Sequence, residues 1–172
     1  MPQSLSKNYI HLTFSAKYRK DSINEDKLSE ISKYISGILK NIDCPPIIVG
    51  GFTNHIHILC ILNKNIALSK MVEEVKRSSS KWIKSLGPSY HDFSWQEGYG
   101  AFSVSQSKVE TVTRYILGQK EHHKKMTFQD ELKMFLKEYQ VEYNVNPEKP
   151  DVPLNKNDAF QKVQKRRVQE KR

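Results

Sequence analysis

Residues 50–62 read GGFTNHIHILCIL, one of the most apolar runs in the chain, and it carries two histidines separated by a single isoleucine. IIVGGF (47–52) and HIHILCIL (55–62) have the composition of short strands, and Thr53-Asn54 between them suits a tight turn. In the second strand both alternating sets are largely apolar, which predicts a central strand covered on both faces. Residues i and i+2 of a strand point the same way, about 6–7 Å apart at the backbone. His55 and His57 therefore share a face, and Ile56 packs on the other. A buried imidazole needs a hydrogen-bond partner or a metal. His-x-His alone is too short a pattern to decide between the two.

Outward from this hairpin the periodicity is readable. Tyr9–Tyr18, YIHLTFSAKY, alternates weakly and is rich in aromatic and β-branched residues, so it predicts a strand. Leu28, Ile31, Ile35, Ile38 and Leu39 recur at helical spacing, with Asn24 as a cap and Glu25 and Asp26 in the first turn. Cys44-Pro45-Pro46 ends that unit. A second helix covers ALSKMVEEVKRSSSKWIKSLG and stops at Gly87-Pro88; Leu68, Met71, Val72, Val75, Trp82, Ile83 and Leu86 form its inner stripe. FSWQEGYGAFSVS reads as a strand, bent or bulged at Gly98 and Gly100. Ser107 with Glu110 has the capping-box pattern, so a third helix is expected from there to about Met126. The order strand, helix, strand, strand, helix, strand predicts an α+β fold. It is a ferredoxin-like antiparallel sheet with helices on one face and an appended C-terminal helix carrying Tyr115. A short helix is expected near FQDELKMFLKEY. Residues 1–143 are expected to form the domain. Residues 144–172, ending QKVQKRRVQEKR, are expected to be a polar, basic, mobile tail.

A chain of 172 residues favours one domain with a tail. Lys and Arg number 28 against 19 acids, a net charge of +9, and the pI is about 9.4. That balance points to an anionic partner such as nucleic acid, or serves solubility alone. Cys44 and Cys60 have neither metal-finger nor CxxC spacing, so reduced thiols are expected. No run is apolar and long enough to span a bilayer, and the N-terminus lacks the order of a signal peptide, so a cytoplasmic protein with no membrane partner is expected.

On the third helix Tyr115 and Gln119 are four apart and share a face, beside an apolar stripe of Val109, Val112 and Ile116. His122 and His123 come next. Taken alone, this reads more simply as a surface tyrosine beside a polar helix end. Together with His55 and His57 it supplies the parts of a phosphoryl-transfer site. A cation held by both imidazoles and the Gln119 amide oxygen would polarise a phosphodiester. Tyr115 would attack as a covalent nucleophile; its free pKa is about 10, so it needs a neighbouring cation or base to deprotonate. For DNA contact the candidates are Lys76, Arg77, Ser78, Lys81 and Lys84 on the second helix, with Lys17, Arg19 and Lys20 after the first strand. A solvated helix face is the plainer reading of the same row. Phe102 and Tyr99 could stack on bases or simply pack.

HIH at 55–57, WQEGYGAFSVS at 95–105 and YILGQKEHH at 115–123 occur in an order and spacing that resemble the HUH single-tyrosine transposases of the insertion-sequence 200/605 family, including their relatives at repetitive extragenic palindromes. The resemblance runs from about Tyr9 to Tyr143. It implies cutting and rejoining of single-stranded DNA beside hairpins, through a 5′-phosphotyrosine. It implies Tyr115 as nucleophile, with His55, His57 and Gln119 as ligands of Mg²⁺ or Mn²⁺. It also implies a homodimer, often with composite sites in which one subunit's tyrosine meets the other's histidines. By themselves two imidazoles and an amide would equally suit Zn, Mn, Fe or Ni. Three features depart from the family pattern: Asn54 where many members have Asp, Gly118 inside the tyrosine helix, and the tail after Tyr143. Two other readings stand beside this one, a catalytically silent hairpin-binding protein and a metal-dependent phosphodiesterase that uses water.

Overall fold

The computed structural model describes residues 3–142, 145–146 and 149–153. The chain forms two compact units, residues 1–126 and 127–172. In the first unit β1 (Asn8–Ser15), α1 (Leu28–Asn41), β2 (Pro46–Phe52), β3 (His55–Leu62), α2 (Leu68–Ile83) and β4 (Gly100–Val104) occur in the expected order. They build one sheet ordered β2-β3-β1-β4, antiparallel throughout, which is the ferredoxin-like arrangement. The Thr53-Asn54 turn joins β2 to β3, and β3 is an inner strand whose residues His55 to Cys60 are all buried.

Alternation along the inner strands sends two sets of side chains to two cores. Leu12 and Phe14 of β1 and Ile56, Ile58 and Cys60 of β3 pack with Ile31, Ile35 and Leu39 of α1 and Met71, Val72 and Val75 of α2. Tyr9, Leu59 and Val104 face the other way and meet Ile116, with Val109, Val112 and Tyr115 at the margin. Ile116 belongs to α3 (Val109–Leu117), so the tyrosine helix covers the sheet face opposite α1 and α2. That is the face onto which His55 and His57 project, in alternation with Ile56 and Ile58.

The third helix differs from its sequence reading at both ends. The Ser107–Glu110 box does not form. A 3-10 turn over Gln106–Lys108 opens the segment, Ser105 Oγ lies 3.1 Å from Ser107 Oγ, and α3 proper starts at Val109. At the other end Gly118 (φ −85°, ψ 10°) interrupts the helix, and α4 (Gln119–His122) continues as a separate turn. The Asn24 cap is likewise replaced by backbone: a 3-10 turn over Glu25–Lys27 precedes α1, and the Asn24 carbonyl accepts from Lys27 N–H.

Close backbone approach at two glycines ties the helix to the sheet. A Cβ on Gly50 would sit 2.9 Å from Ile116 Cγ2 and 3.2 Å from Ile116 O, so α3 lies directly on the β2 backbone. A Cβ on Gly51 would run into the backbone of His55. Past β1 the chain makes a tight turn in which Tyr18 (φ 59°) and Arg19 (φ 53°) are both left-handed. Each such non-glycine residue costs roughly 1–2 kcal/mol, so the turn has to be held by its surroundings.

The second unit holds α5 (Phe128–Glu138) and a two-stranded pair, β5 (Val145–Asn146) with β6 (Lys149–Pro153). Thr127 caps α5, its Oγ1 accepting from Asp130 N–H at 3.2 Å. Apart from β5 and β6, the tail expected over 144–172 lies outside the described residues. Among the described residues no helix is long and apolar enough to cross a membrane.

Candidate active site

His55 and His57 project from β3 with ring centroids 5.1 Å apart and planes at 89°. Both are fully buried. Each ring is oriented by a neighbour. Asn54 Oδ1 accepts from His55 Nδ1–H at 2.7 Å, so the amide at the position before the pair occupies the outer nitrogen of His55. His57 Nδ1 lies 2.8 Å from Nε2 of His11, which projects from β1 onto the same face. The β1–β3 register pairs Thr13 with His57 and His11 with Leu59, so His11 and His57 are diagonal neighbours across the ladder.

From the helical side, Gln119 is buried and its Oε1 lies 2.8 Å from His55 Nε2 and 2.9 Å from His123 Nε2. His123 also stacks on Phe52, with centroids 5.7 Å apart and planes at 8°. Tyr115 is half-buried. Its ring centroid is 5.8 Å from that of His57 and 6.3 Å from that of His11. Its hydroxyl is 3.4 Å from His122 Nε2. Tyr115, Gln119 and both strand histidines thus meet within one chain.

Burial sets the electrostatics. It pushes His57 down to about 3, with His123 and His122 adding to the effect. Burial together with His57 pushes His11 down to about 3 as well. His55 is held well below the ordinary histidine value by burial and then by His57, and burial lowers His123. Near neutral pH the cluster is therefore a set of uncharged imidazoles, the form that presents a lone pair to a cation.

The expected DNA contacts are distributed differently from the histidines. Helix α2 packs on the other sheet face. The Lys76 ammonium donates to the carbonyl oxygens of Gln96 (2.6 Å) and Gly98 (2.8 Å). Arg77 pairs with Glu74 at 2.6 Å, and Ser78 Oγ donates to the same carboxylate at 2.8 Å. Lys81 and Lys84 are exposed. Lys17 is exposed and Arg19 half-buried in the turn after β1. Phe102 is buried facing His11, whereas Tyr99 is exposed.

The sequence profile of the IS200-like transposases matches residues 4–119, a span that includes both strand histidines, Tyr115 and Gln119. The chain belongs to the IS200-like transposase family. Two solved structures share the transposase fold. A candidate transposase from Deinococcus radiodurans R1 aligns with a TM-score of 0.54 at 17% identity, over 69% of this chain and 98% of that one. A REP-associated tyrosine transposase bound to a REP hairpin aligns with a TM-score of 0.53 at 12% identity, over 72% of this chain and 73% of that one. A search of curated proteins gave no match.

His11 was not among the residues expected in this transposase site. Its one sequence signal is the alternation Tyr9, His11, Thr13, Ser15, a set with polar members inside a strand that is otherwise apolar.

Proposed function

We propose that this transposase cuts and rejoins single-stranded DNA at hairpin-marked ends, with Tyr115 forming a transient 5′-phosphotyrosine. The observation that carries the reading is the convergence of the phenol of α3 and the His55–His57 pair of β3 in one chain, with Gln119 Oε1 2.8 Å from His55. The donor set fits a divalent cation. A neutral imidazole has one N–H, yet His55 has an oxygen against each ring nitrogen, Asn54 Oδ1 and Gln119 Oε1. With Nδ1–H given to Asn54, Nε2 and Oε1 face each other lone pair to lone pair, a contact that a shared cation makes attractive. His55, His57 and Gln119 would hold Mg²⁺ or Mn²⁺, which supplies Lewis-acid polarisation of the phosphodiester.

The chain's own residues do the rest. His122 accepts the Tyr115 proton, directly or through one water. The phenolate oxygen attacks phosphorus, the P–O(Tyr115) bond forms, and the P–O3′ bond breaks. The departing 3′ oxygen takes up a proton and leaves as a hydroxyl. A later 3′ hydroxyl displaces Tyr115 and restores the phosphodiester, so rejoining needs no nucleotide cofactor. His11 keeps His57 in the tautomer that leaves Nε2 for the cation. This arrangement works in cis, and a homodimer is compatible with it. That hairpin DNA marks the site rests on the family and on the hairpin bound by the REP-associated relative.

The test is incubation with hairpin oligonucleotides bearing unpaired flanks and Mn²⁺, and then a denaturing gel. A covalent protein–DNA band that disappears in Tyr115→Phe is the expected result. Binding without cleavage would favour a silent hairpin binder. Cleavage that survives Tyr115→Phe would favour a water-using phosphodiesterase.

A further inference from the structure

The tight turn after β1 displays an aromatic ring that plays no part in the His55–His57–Tyr115 site. Tyr18 is 64% exposed although its backbone is left-handed (φ 59°, ψ 16°). A flexible loop would relax such a residue, but this one is fixed from three sides. Tyr18 N–H donates to Gln96 Oε1 at 2.8 Å, Lys17 N–H to Ser94 O at 2.9 Å, and Asn54 Nδ2–H to Arg19 O at 3.5 Å. Gln96 is itself anchored, its N–H donating to Ser15 O at 2.8 Å and its carbonyl accepting from the Lys76 ammonium. The outcome of this bonding is a π face held out toward solvent. Two ammonium groups attend it, Lys17 Nζ at 5.3 Å and Lys20 Nζ at 5.9 Å from the ring centroid, and Arg19 comes next in the chain.

The turn is coupled to the proposed cation ligands. The Asn54 amide that reaches Arg19 O is the one whose Oδ1 accepts from His55 Nδ1–H. The turn therefore stands at the His55 end of the sheet, where β1 ends opposite the start of β3. A flat ring flanked by cations matches a partner that has flat rings joined by anions, namely an unpaired stretch of DNA.

We propose that Tyr18 is a stacking platform for an unpaired base beside the cleavage point, with Lys17, Arg19 and Lys20 on the flanking phosphates. This rests on the proposed DNA-processing function and names a specificity residue for it. Asn54 then links strand docking to the orientation of His55.

The experiment measures binding in EDTA, so that it is independent of the cation and of Tyr115. The probes are a fluorescein-labelled hairpin with unpaired flanks and a blunt duplex of the same stem. Tyr18→Gly removes the ring and is at ease in a left-handed turn, and Tyr18→Phe keeps the ring. The expected result is that Tyr18→Gly weakens the flanked hairpin roughly tenfold, leaves the blunt duplex unchanged and does not lower the melting temperature, while Tyr18→Phe binds like the parent. With 2-aminopurine placed in turn along the flank, one position should be quenched by the parent and not by Tyr18→Gly. An unchanged affinity in Tyr18→Gly, an equal loss on both probes, or a loss in Tyr18→Phe would overturn the platform. A parent protein that fails to bind the flanked hairpin would overturn the DNA reading as well; cleavage intact in Tyr18→Gly with parental binding overturns the platform alone.

Discussion

Gly50→Ala tests whether the seat of the tyrosine helix sets the rate of strand cleavage. Gly50 faces His57 across the β2–β3 ladder, and its missing side chain is the space that α3 occupies. The added methyl would meet Ile116 Cγ2 at 2.9 Å and Ile116 O at 3.2 Å. The side-chain methyl can rotate away, but the carbonyl belongs to the helix backbone, so α3 has to rise by a few tenths of an ångström. Overpacking of this kind costs about 1–3 kcal/mol. Ile116 adjoins Tyr115, so the same lift moves the phenol relative to the His55–His57 pair, which stays on the sheet. A misplacement of about 1 Å costs on the order of a hundredfold in rate, so a shift of a few tenths predicts a loss of roughly three- to tenfold. Single-turnover formation of the covalent adduct, with hairpin affinity and thermal melting measured in parallel, reads this directly. The expected pattern is a slower adduct, near-parental DNA affinity and a lowered melting temperature. Parental rate and stability together would refute the idea that contact between α3 and the β2 backbone positions Tyr115.

Other changes should report on separate parts of the site. Gln119→Leu should weaken Mn²⁺ binding at least tenfold by electron paramagnetic resonance, and should lower the stability of metal-free protein by no more than about 1 kcal/mol, through the hydrogen bond it removes from His123. Burial holds His57 and His11 near 3 in the folded protein, against about 6.5 unfolded. The unfolded chain thus binds more protons between those values, so stability is full above about pH 6.5. It should fall by about 1.4 kcal/mol per pH unit per imidazole on acidification toward pH 3, as urea midpoints of metal-free protein will show. Gly118→Ala has room, its Cβ meeting Arg114 O at 3.4 Å with ordinary helical-side φ; it should raise stability by about 0.4–1 kcal/mol in urea titration and keep adduct formation. Lys76→Met removes the ammonium that ties the Gln96 and Gly98 carbonyls, and should increase hydrogen exchange of the 96–99 segment while leaving the salt dependence of DNA binding almost unchanged.

The fold was legible because its signals are local. Two apolar alternations in HIHILCIL mark an inner strand, and helical stripes bracket it on both sides. The side-by-side placement of His55 and His57 comes from strand geometry alone. His11 was hidden because its partner is chosen by the β1–β3 register, which depends on the whole sheet and not on YIHLTF. The Ser107–Glu110 pattern misled because Ser105 starts the segment with a 3-10 turn, which places Ser107 inside it. For Lys76 the sequence shows the charge that makes it a phosphate-contact candidate but not the two loop carbonyls that its ammonium meets. Gly50 carried no readable reason either, since Ile116 is its neighbour only after α3 has docked.

The proposed nucleophile and one proposed cation ligand ride on consecutive turns of chain, separated by Gly118. Tyr115 lies on the last turn of α3, and Gln119 opens α4. Leu117 between them is 70% exposed, while Ile116 and Gln119 are buried against the sheet. The segment therefore grips the sheet at two points, Ile116 on the Gly50 backbone and Gln119 on His55. If it lifts at the first point, Tyr115 withdraws; if it lifts at the second, the ligand set falls to the two imidazoles. Under the proposed chemistry both losses disarm cleavage, and neither disturbs the α1–α2 core on the far face of the sheet. On that proposal activity is coupled to the docking of one short segment, and the α1–α2 core need not change when it lifts. Leu117, on the solvent side, bears none of this contact: Leu117→Ser should leave adduct formation unchanged, and a loss there comparable to that of Gly50→Ala would mean that the segment is held by something other than its two grips on the sheet.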